Sequence, residues 1–155
     1  MVCAWRGCID LLNFLLDRNA NVNATDKFNK TALFYAIESE NGENINIISM
    51  LLDHNSKVNH RNKEGETPLI VAVERGHTDT VKLLLDKRAN PKVKNRHGED
   101  IDIFAKKRNY RTIYDLLSNA IDSMNEALDM EVFEEQGPAS PTKEKPKKEK
   151  KVYFC

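Results

Sequence analysis

Shifting the numbering by 33 lays one stretch of this chain over another. Gly98 falls on Gly65, Ala105 on Ala72 and Leu117 on Leu84; one unit earlier, Ala89 falls on Ser56 and Val81 on Ile48. A fixed period of this length constrains the fold more than any composition does. Each unit is a supersecondary element that cannot bury its apolar face alone and must stack on its neighbours. In the most complete unit, Thr67 is an N-cap type of residue and Pro68 suits the first helical turn, where its missing N–H is not needed. Leu69, Ala72 and Val73 follow at the spacing of one buried stripe, and Gly76 ends the helix. A second helix is predicted over 78–87, burying Val81, Leu84 and Leu85, before Asn90-Pro91 breaks it.

That unit resembles an ankyrin repeat. It carries the family's Gly-x-Thr-Pro-Leu element (Gly65 to Leu69), its Ala-x-x-x-Gly-His element (Ala72 to Gly76-His77) and the Leu83-Leu84 pair, all at the family's spacing. The resemblance implies an all-α fold, a solenoid of stacked helix-turn-helix units joined by β-hairpin-like loops. About three and a half repeats are expected in a domain over 1–130, with units near 1–25, 26–61, 62–94 and 95–130, the first truncated. Residues 131–155 are expected to form a disordered tail, acidic and then Lys-rich.

The other units edit the pattern. Asp26, Thr31, Leu33 and Ala36 match Asn62, Thr67, Leu69 and Ala72 at an offset of 36, and Asn29 replaces Gly65. Asparagine tolerates the left-handed conformation better than other non-glycine residues. The extra residues must lie in the stretch from Glu38 to Asn44, which reads as a tolerated surface insertion in preference to a functional loop. In the last unit Asp100 and Asp102 stand where Thr67 and Leu69 stood, and Lys106, Lys107 and Arg108 make the end polar. Ile101, Ile103, Phe104, Ile113, Leu116 and Leu117 are expected to supply its apolar face. One wet side is what a terminal repeat needs. Its second helix is expected to continue through Ala120, Ile121 and Met124 toward Leu128. At the front, aligning Gly7 with Gly76 puts Met1 already inside a first helix. The expectation is a C-terminal piece or short isoform of a longer array, with an apolar N-terminal face that is a docking or aggregation liability.

Composition narrows the function. The formal net charge is zero, which removes a whole-chain argument for nucleic acid or acidic membrane. No apolar run approaches the roughly 20 residues that cross a bilayer, and Asp10 and Asp17 interrupt any secretory core. Cys3, Cys8 and Cys155 are odd in number and badly spaced for disulfides or zinc, so they read as apolar fillers in a reducing compartment. An intracellular protein is expected, cytoplasmic or nuclear, with a cilium as a further location.

No phosphate loop, nucleophile elbow or His-Glu-x-x-His pattern occurs, and His54, His60, His77 and His97 fall in different repeats or loops. No catalytic, cofactor or metal residues are therefore assigned, and the chain is expected not to be an enzyme or to take a small-molecule substrate. The resemblance implies instead a protein-binding adaptor or scaffold that holds a partner segment on its concave loop-and-inner-helix surface. The positions implied to project there are Lys27, Phe28, Lys30, Glu38, Arg61, Lys63, Glu64, Glu66, Glu74, Arg75, Lys94, Arg96, His97, Glu99, Lys107 and Arg108, with Trp5 and Arg6 extending the strip. Phe28 and Trp5 are aromatic where solvent is expected, and aromatics and arginine dominate binding hot spots. The strip from Lys27 onward leans positive, so a protein partner with an acidic segment is expected.

Asn23 and Asn59 occupy a Val-Asn turn that resembles the asparagine site hydroxylated in many ankyrin repeats. A side-chain hydrogen bond bracing the turn is their expected main role. In the tail, Ser140-Pro141-Thr142-Lys143 resembles a proline-directed kinase site. The Lys-rich run after it reads first as a solubilising segment and second as an import signal or weak contact to nucleic acid, which would make the protein a regulator of a nuclear complex. A narrower similarity, in the runs from Asn21 to Phe28 and from Tyr110 to Leu116, is to the C-terminal array of ankyrin repeat and EF-hand domain proteins. It implies a structural role in a cilium or flagellum. No EF-hand loop occurs, so calcium binding is not carried over.

Overall fold

A computed structural model of the protein describes residues 1–39 and 42–135, with side chains through residue 127. The helices are α1 (Val2–Arg6), α2 (Ile9–Asp17), α3 (Ala32–Ile37), α4 (Ile45–Asp53), α5 (Pro68–Arg75), α6 (Thr78–Asp86), α7 (Ile101–Lys107) and α8 (Arg111–Glu135). Among the described residues there is no strand, only one isolated antiparallel bridge between Lys94 and Asp100 in the last loop.

The helices pair as hairpins that stack in two rows. α1, α3, α5 and α7 pack in succession along one row, and α2, α4, α6 and α8 along the other. The period explains the packing. Ala36, Ala72 and Ala105 recur at one position of α3, α5 and α7, and none has exposed area. A methyl side chain there lets neighbouring first helices approach closely. Leu51, Leu84 and Leu117 recur in the second helices and are likewise fully buried, each contributing roughly 1.5–3 kcal/mol of transfer free energy.

Helix ends follow one device. Gly7, Gly76, Asn19, Asn55, Arg88 and Asn109 all have positive φ just past a helix. The next amide in each case reaches back across the last turn, as in His77 N to Ala72 O at 3.0 Å and Ala89 N to Leu84 O at 2.9 Å. At the other end of α5, Pro68 occupies the first turn and Thr67 Oγ1 accepts a long hydrogen bond from Ile70 N at 3.4 Å. Thr31 makes no such bond at α3.

Three expectations are amended. Ile103 was expected on the apolar face but is 44% exposed, while Ile101 and Ala105 are buried. Two residues of helix rotate a side chain about 200°, to the opposite side. α8 runs to Glu135, past the expected boundary at 130, because no glycine or proline interrupts the helix-compatible stretch before Gly137. The remaining tail, including Ser140 and the Lys-rich run, lies outside the described residues. The insertion between α3 and α4 is tied into the stack. Ser39 Oγ donates to Trp5 O at 2.8 Å, and Glu43 Oε1 accepts from Thr80 N at 3.2 Å. Thr80 is in the first turn of α6, so Glu43 satisfies an orphan donor of the next repeat and sits favourably at a helix N-terminus.

Candidate functional site: the concave groove

The loops that precede α3, α5 and α7 are built alike, and their construction fixes the groove. Asp26 Oδ1 accepts from Phe28 N and Lys30 N at 2.9 and 2.8 Å. Asn62 Oδ1 does the same for Glu64 N and Glu66 N, both at 2.9 Å. Asn95 Oδ1 repeats it for His97 N and Glu99 N at 3.0 and 3.1 Å. Each loop is closed by a left-handed residue: Asn29 at φ 59°, Gly65 at 79° and Gly98 at 75°. These Asx turns were not among the candidate site residues. Their signal was present as an Asp or Asn three residues before each left-handed position. Tyr35 further braces the first loop, its hydroxyl donating to Asp26 Oδ2 at 2.6 Å. That bond holds the Asp26 carboxyl below the usual carboxylate range and pushes the Tyr35 phenol up to about 12.

Successive loops are also stitched to one another. Lys63 N donates to Phe28 O at 3.0 Å, and Asn29 Nδ2 to Arg61 O at 2.8 Å. On the far side of the hairpins, Asn23 accepts from Lys57 N at 2.8 Å and donates to Asn55 O at 3.1 Å. Asn59 accepts from Asn90 N at 2.8 Å and donates to Arg88 O at 3.3 Å. Both asparagines thus use carbonyl and amide together to join neighbouring repeats.

A groove of about 390 Å³ lies against α5 and the loops before α3, α5 and α7. Lys30 and Glu38 line it from the second unit, Glu64, Glu66, Val71, Glu74 and Arg75 from the third, and Arg96 from the fourth. A smaller hollow of about 260 Å³ adjoins it, lined by Phe28, Lys30, Asn62, Lys63 and Glu64. Nine of the expected residues therefore meet around these two hollows. Trp5, Arg6, Lys27, Arg61, Lys94, His97, Glu99, Lys107 and Arg108 line neither.

Several expected surface residues are already engaged. Lys30 Nζ pairs with Glu38 at 2.6 Å, Lys94 with Asp100 at 3.5 Å, and Lys107 with Glu99. Arg61 donates to Gly65 O at 3.0 Å, and the Arg108 guanidinium lies 5.4 Å from the Phe104 ring centre. Glu66, expected to project to solvent, is only 6% exposed and accepts from Asn62 Nδ2 at 2.9 Å. Its place directly after the Asx turn points the chain inward. Phe28 is 51% exposed, with Lys27 Nζ 5.0 Å from its ring centre, and Trp5 is 38% exposed.

Once these pairs are set aside, Glu64 and Glu74 remain as acids along the two hollows and Lys63, Arg75 and Arg96 as bases, with the buried Glu66 beneath. Burial pushes the Glu74 carboxyl up, the nearby Glu66 charge adds to this, and Arg96 opposes it. The Lys107 ammonium holds the Glu99 carboxyl down. The site offers charge, hydrogen bonds and one exposed aromatic surface. Among the described residues no cluster of His, Cys, Asp and Glu could hold a metal ion, and no helix is long and apolar enough to cross a membrane.

A comparison with curated proteins finds no match. The family model for ankyrin repeats (3 copies) matches residues 1–95, which covers the first three hairpins and ends before α7. With more than half its length matched and its hairpins stacked in that order, the chain belongs to the ankyrin-repeat family, whose repeats mediate protein–protein interaction.

Proposed function

We propose that the domain over residues 1–130 is a non-catalytic adaptor that binds an extended protein segment along the concave groove. The observation that carries this reading is Phe28, half-exposed at a loop tip beside a charged groove, on a loop held rigid by the Asp26 turn. A rigid, exposed aromatic loses little entropy on binding and can dominate an interface. Lys63, Arg75 and Arg96 favour acidic residues in the partner, and the Glu64 and Glu74 carboxylates select for a donor beside them. Long-range attraction of this kind sets specificity and on-rate more than affinity. Trp5, Lys27, Arg61, Lys94, His97, Lys107 and Arg108 would act as the outer rim.

The test is a displayed random-peptide library panned against the full chain. Acidic sequences with an apolar anchor should be enriched. Phe28→Ala should weaken the selected peptides by about tenfold or more, as expected for a hot-spot aromatic, and Arg75→Glu should weaken the acidic ones. Peptides indifferent to both substitutions would place binding elsewhere. Hydroxylation of Asn23 or Asn59 is a secondary reading, favoured by their exposed turns, and intact-mass analysis for an added oxygen checks it. No observation on the described residues favours the tail-based nuclear reading or the ciliary one.

A further inference from the structure

α8 is longer than the second helix of any other described hairpin. α4 and α6 are nine residues each and end at Asp53 and Asp86. At the offset of 33, Asp86 answers to Asn119, so residues 120–135 of α8 lie beyond the length that the repeat requires. This overhang continues for about 24 Å, at 1.5 Å per residue. Between it and the turn that follows α6 is a recess of about 660 Å³, within the range of volumes that hold a ligand. Leu85, Ala89 and Pro91 line it from the α6 side, and Ala120, Met124 and Ala127 from the overhang. Met124 is 38% exposed. Lys92 Nζ donates to Asn125 Oδ1 at 2.6 Å and ties the overhang to the loop beneath it. The recess is a product of the extra helix, because Ala120, Met124 and Ala127 all lie past the end of the repeat unit.

The chain itself carries a segment whose chemistry fits this recess. Residues 136–155 lie outside the described residues, and their one apolar run is Val152-Tyr153-Phe154-Cys155. The charges on either side are segregated and opposite. From Thr112 to Glu135 there are seven Asp or Glu and no Lys or Arg, whereas from Lys143 to Lys151 there are six Lys and two Glu. The basic block stands directly before the apolar run. A tail that returns along α8 therefore sets its lysines against the acidic overhang and carries Val152, Tyr153 and Phe154 toward Met124. Length permits this. Met124 is about 17 Å along the helix from Glu135, and residues 136–151 can span at most about 53 Å. A tether of this kind holds its segment at about millimolar effective concentration, above that of any second copy at micromolar protein. We propose that Val152-Tyr153-Phe154 docks in the recess between α8 and the turn after α6, with the Lys-rich run lying along the acidic overhang. The recess shares no lining residue with the groove against α5 or the hollow beside it, so tail docking stands or falls independently of peptide binding there.

A nitroxide on Cys155 of the full chain tests this, with Cys3→Ala and Cys8→Ser leaving one thiol to label. Amide signals of residues 88–90 and 120–127 should fall to about half or less of their intensity with the label reduced, as a segment at millimolar effective concentration implies. Those of α1 should not change. Tyr153→Ser with Phe154→Ser should restore the signals. Met124→Lys should do the same, because it puts a charge into the recess and repels the lysine run while keeping a good helix former. About 1 M NaCl should reduce the broadening, since it screens the lysines from the overhang; broadening indifferent to salt overturns their pairing. Signals that keep full intensity overturn the proposal and leave the recess to an outside partner. Broadening that passes from a spin-labelled copy to an isotope-labelled one overturns it in favour of a second chain. Broadening that survives loss of both Tyr153 and Phe154 overturns the anchoring role of the apolar run.

Discussion

Gly76 offers a measurement of how tightly one repeat is fitted to the next. It ends α5 at φ 71°, ψ 24°, and a Cβ built there would lie 3.0 Å from Tyr110 Cζ and 3.3 Å from its hydroxyl oxygen. Gly65 has a similar φ of 79°, but a Cβ there meets no atom within 4 Å. Replacing either by alanine forces an L-residue into the left-handed region, at a cost of about 1 kcal/mol. Only Gly76→Ala adds an overpacking cost. Tyr110 is half-buried and can shift by a few tenths of an ångström, so that addition is near the lower end for such clashes, about 1 kcal/mol. Urea denaturation at neutral pH should therefore show losses of about 1 kcal/mol for Gly65→Ala and about 2 kcal/mol for Gly76→Ala. In a Tyr110→Ala background the extra cost at Gly76 should disappear. Equal losses at the two glycines, or an excess that survives removal of the Tyr110 ring, would refute the claim that the third and fourth hairpins are in contact at this point.

Two further outcomes follow from burial and charge. Leu84→Ala removes a fully buried side chain and should cost about 2–5 kcal/mol, whereas Phe28→Ala, half-exposed, should cost less than about 0.5 kcal/mol; urea melts of both variants check that a binding defect at Phe28 is not a folding defect. The Glu74 carboxyl has a folded-state pKa raised above its unfolded value by burial, so the folded state prefers it protonated. Its contribution is most favourable below the unfolded value and is lost as pH rises through the folded one. Glu74→Gln should thus be more stable than the parent near pH 7, by about 0.5 kcal/mol or less given the screening of a partly exposed group, and the gap should close near pH 3.5 in paired melts.

Much of the fold was legible because a repeated pattern states each requirement several times. The buried stripe of Leu69, Ala72 and Val73, the glycine that ends α5, and the left-handed tolerance of Asn29 were all readable from local chemistry, and each appears where expected. The long last helix was readable as well, apart from its last two turns or so. The candidate groove was legible in outline and wrong in detail. Glu66 looked like a loop-tip charge, yet it is folded under by the Asn62 turn. Ile103 looked like core, and helix rotation carried it to solvent. The pairing of Lys30 with Glu38 and of Lys107 with Glu99 was invisible because it depends on where a loop tip returns relative to its own helix.

By itself, the sequence determined the unit: its two helices, its breakers and its apolar stripe, all set by interactions within a few residues of chain. Tertiary structure alone decided what one unit does to another. Glu43 caps α6 of the next hairpin, Asn23 and Asn59 bridge neighbouring turns, and Tyr110 fills the space that Gly76 leaves. It also decided that Leu11, Phe14 and Leu15, in a register that is covered in α4 and α6, stand open in α2. Local chemistry fixes which face of a helix is apolar, but whether that face is covered depends on a neighbour many residues away or on another molecule.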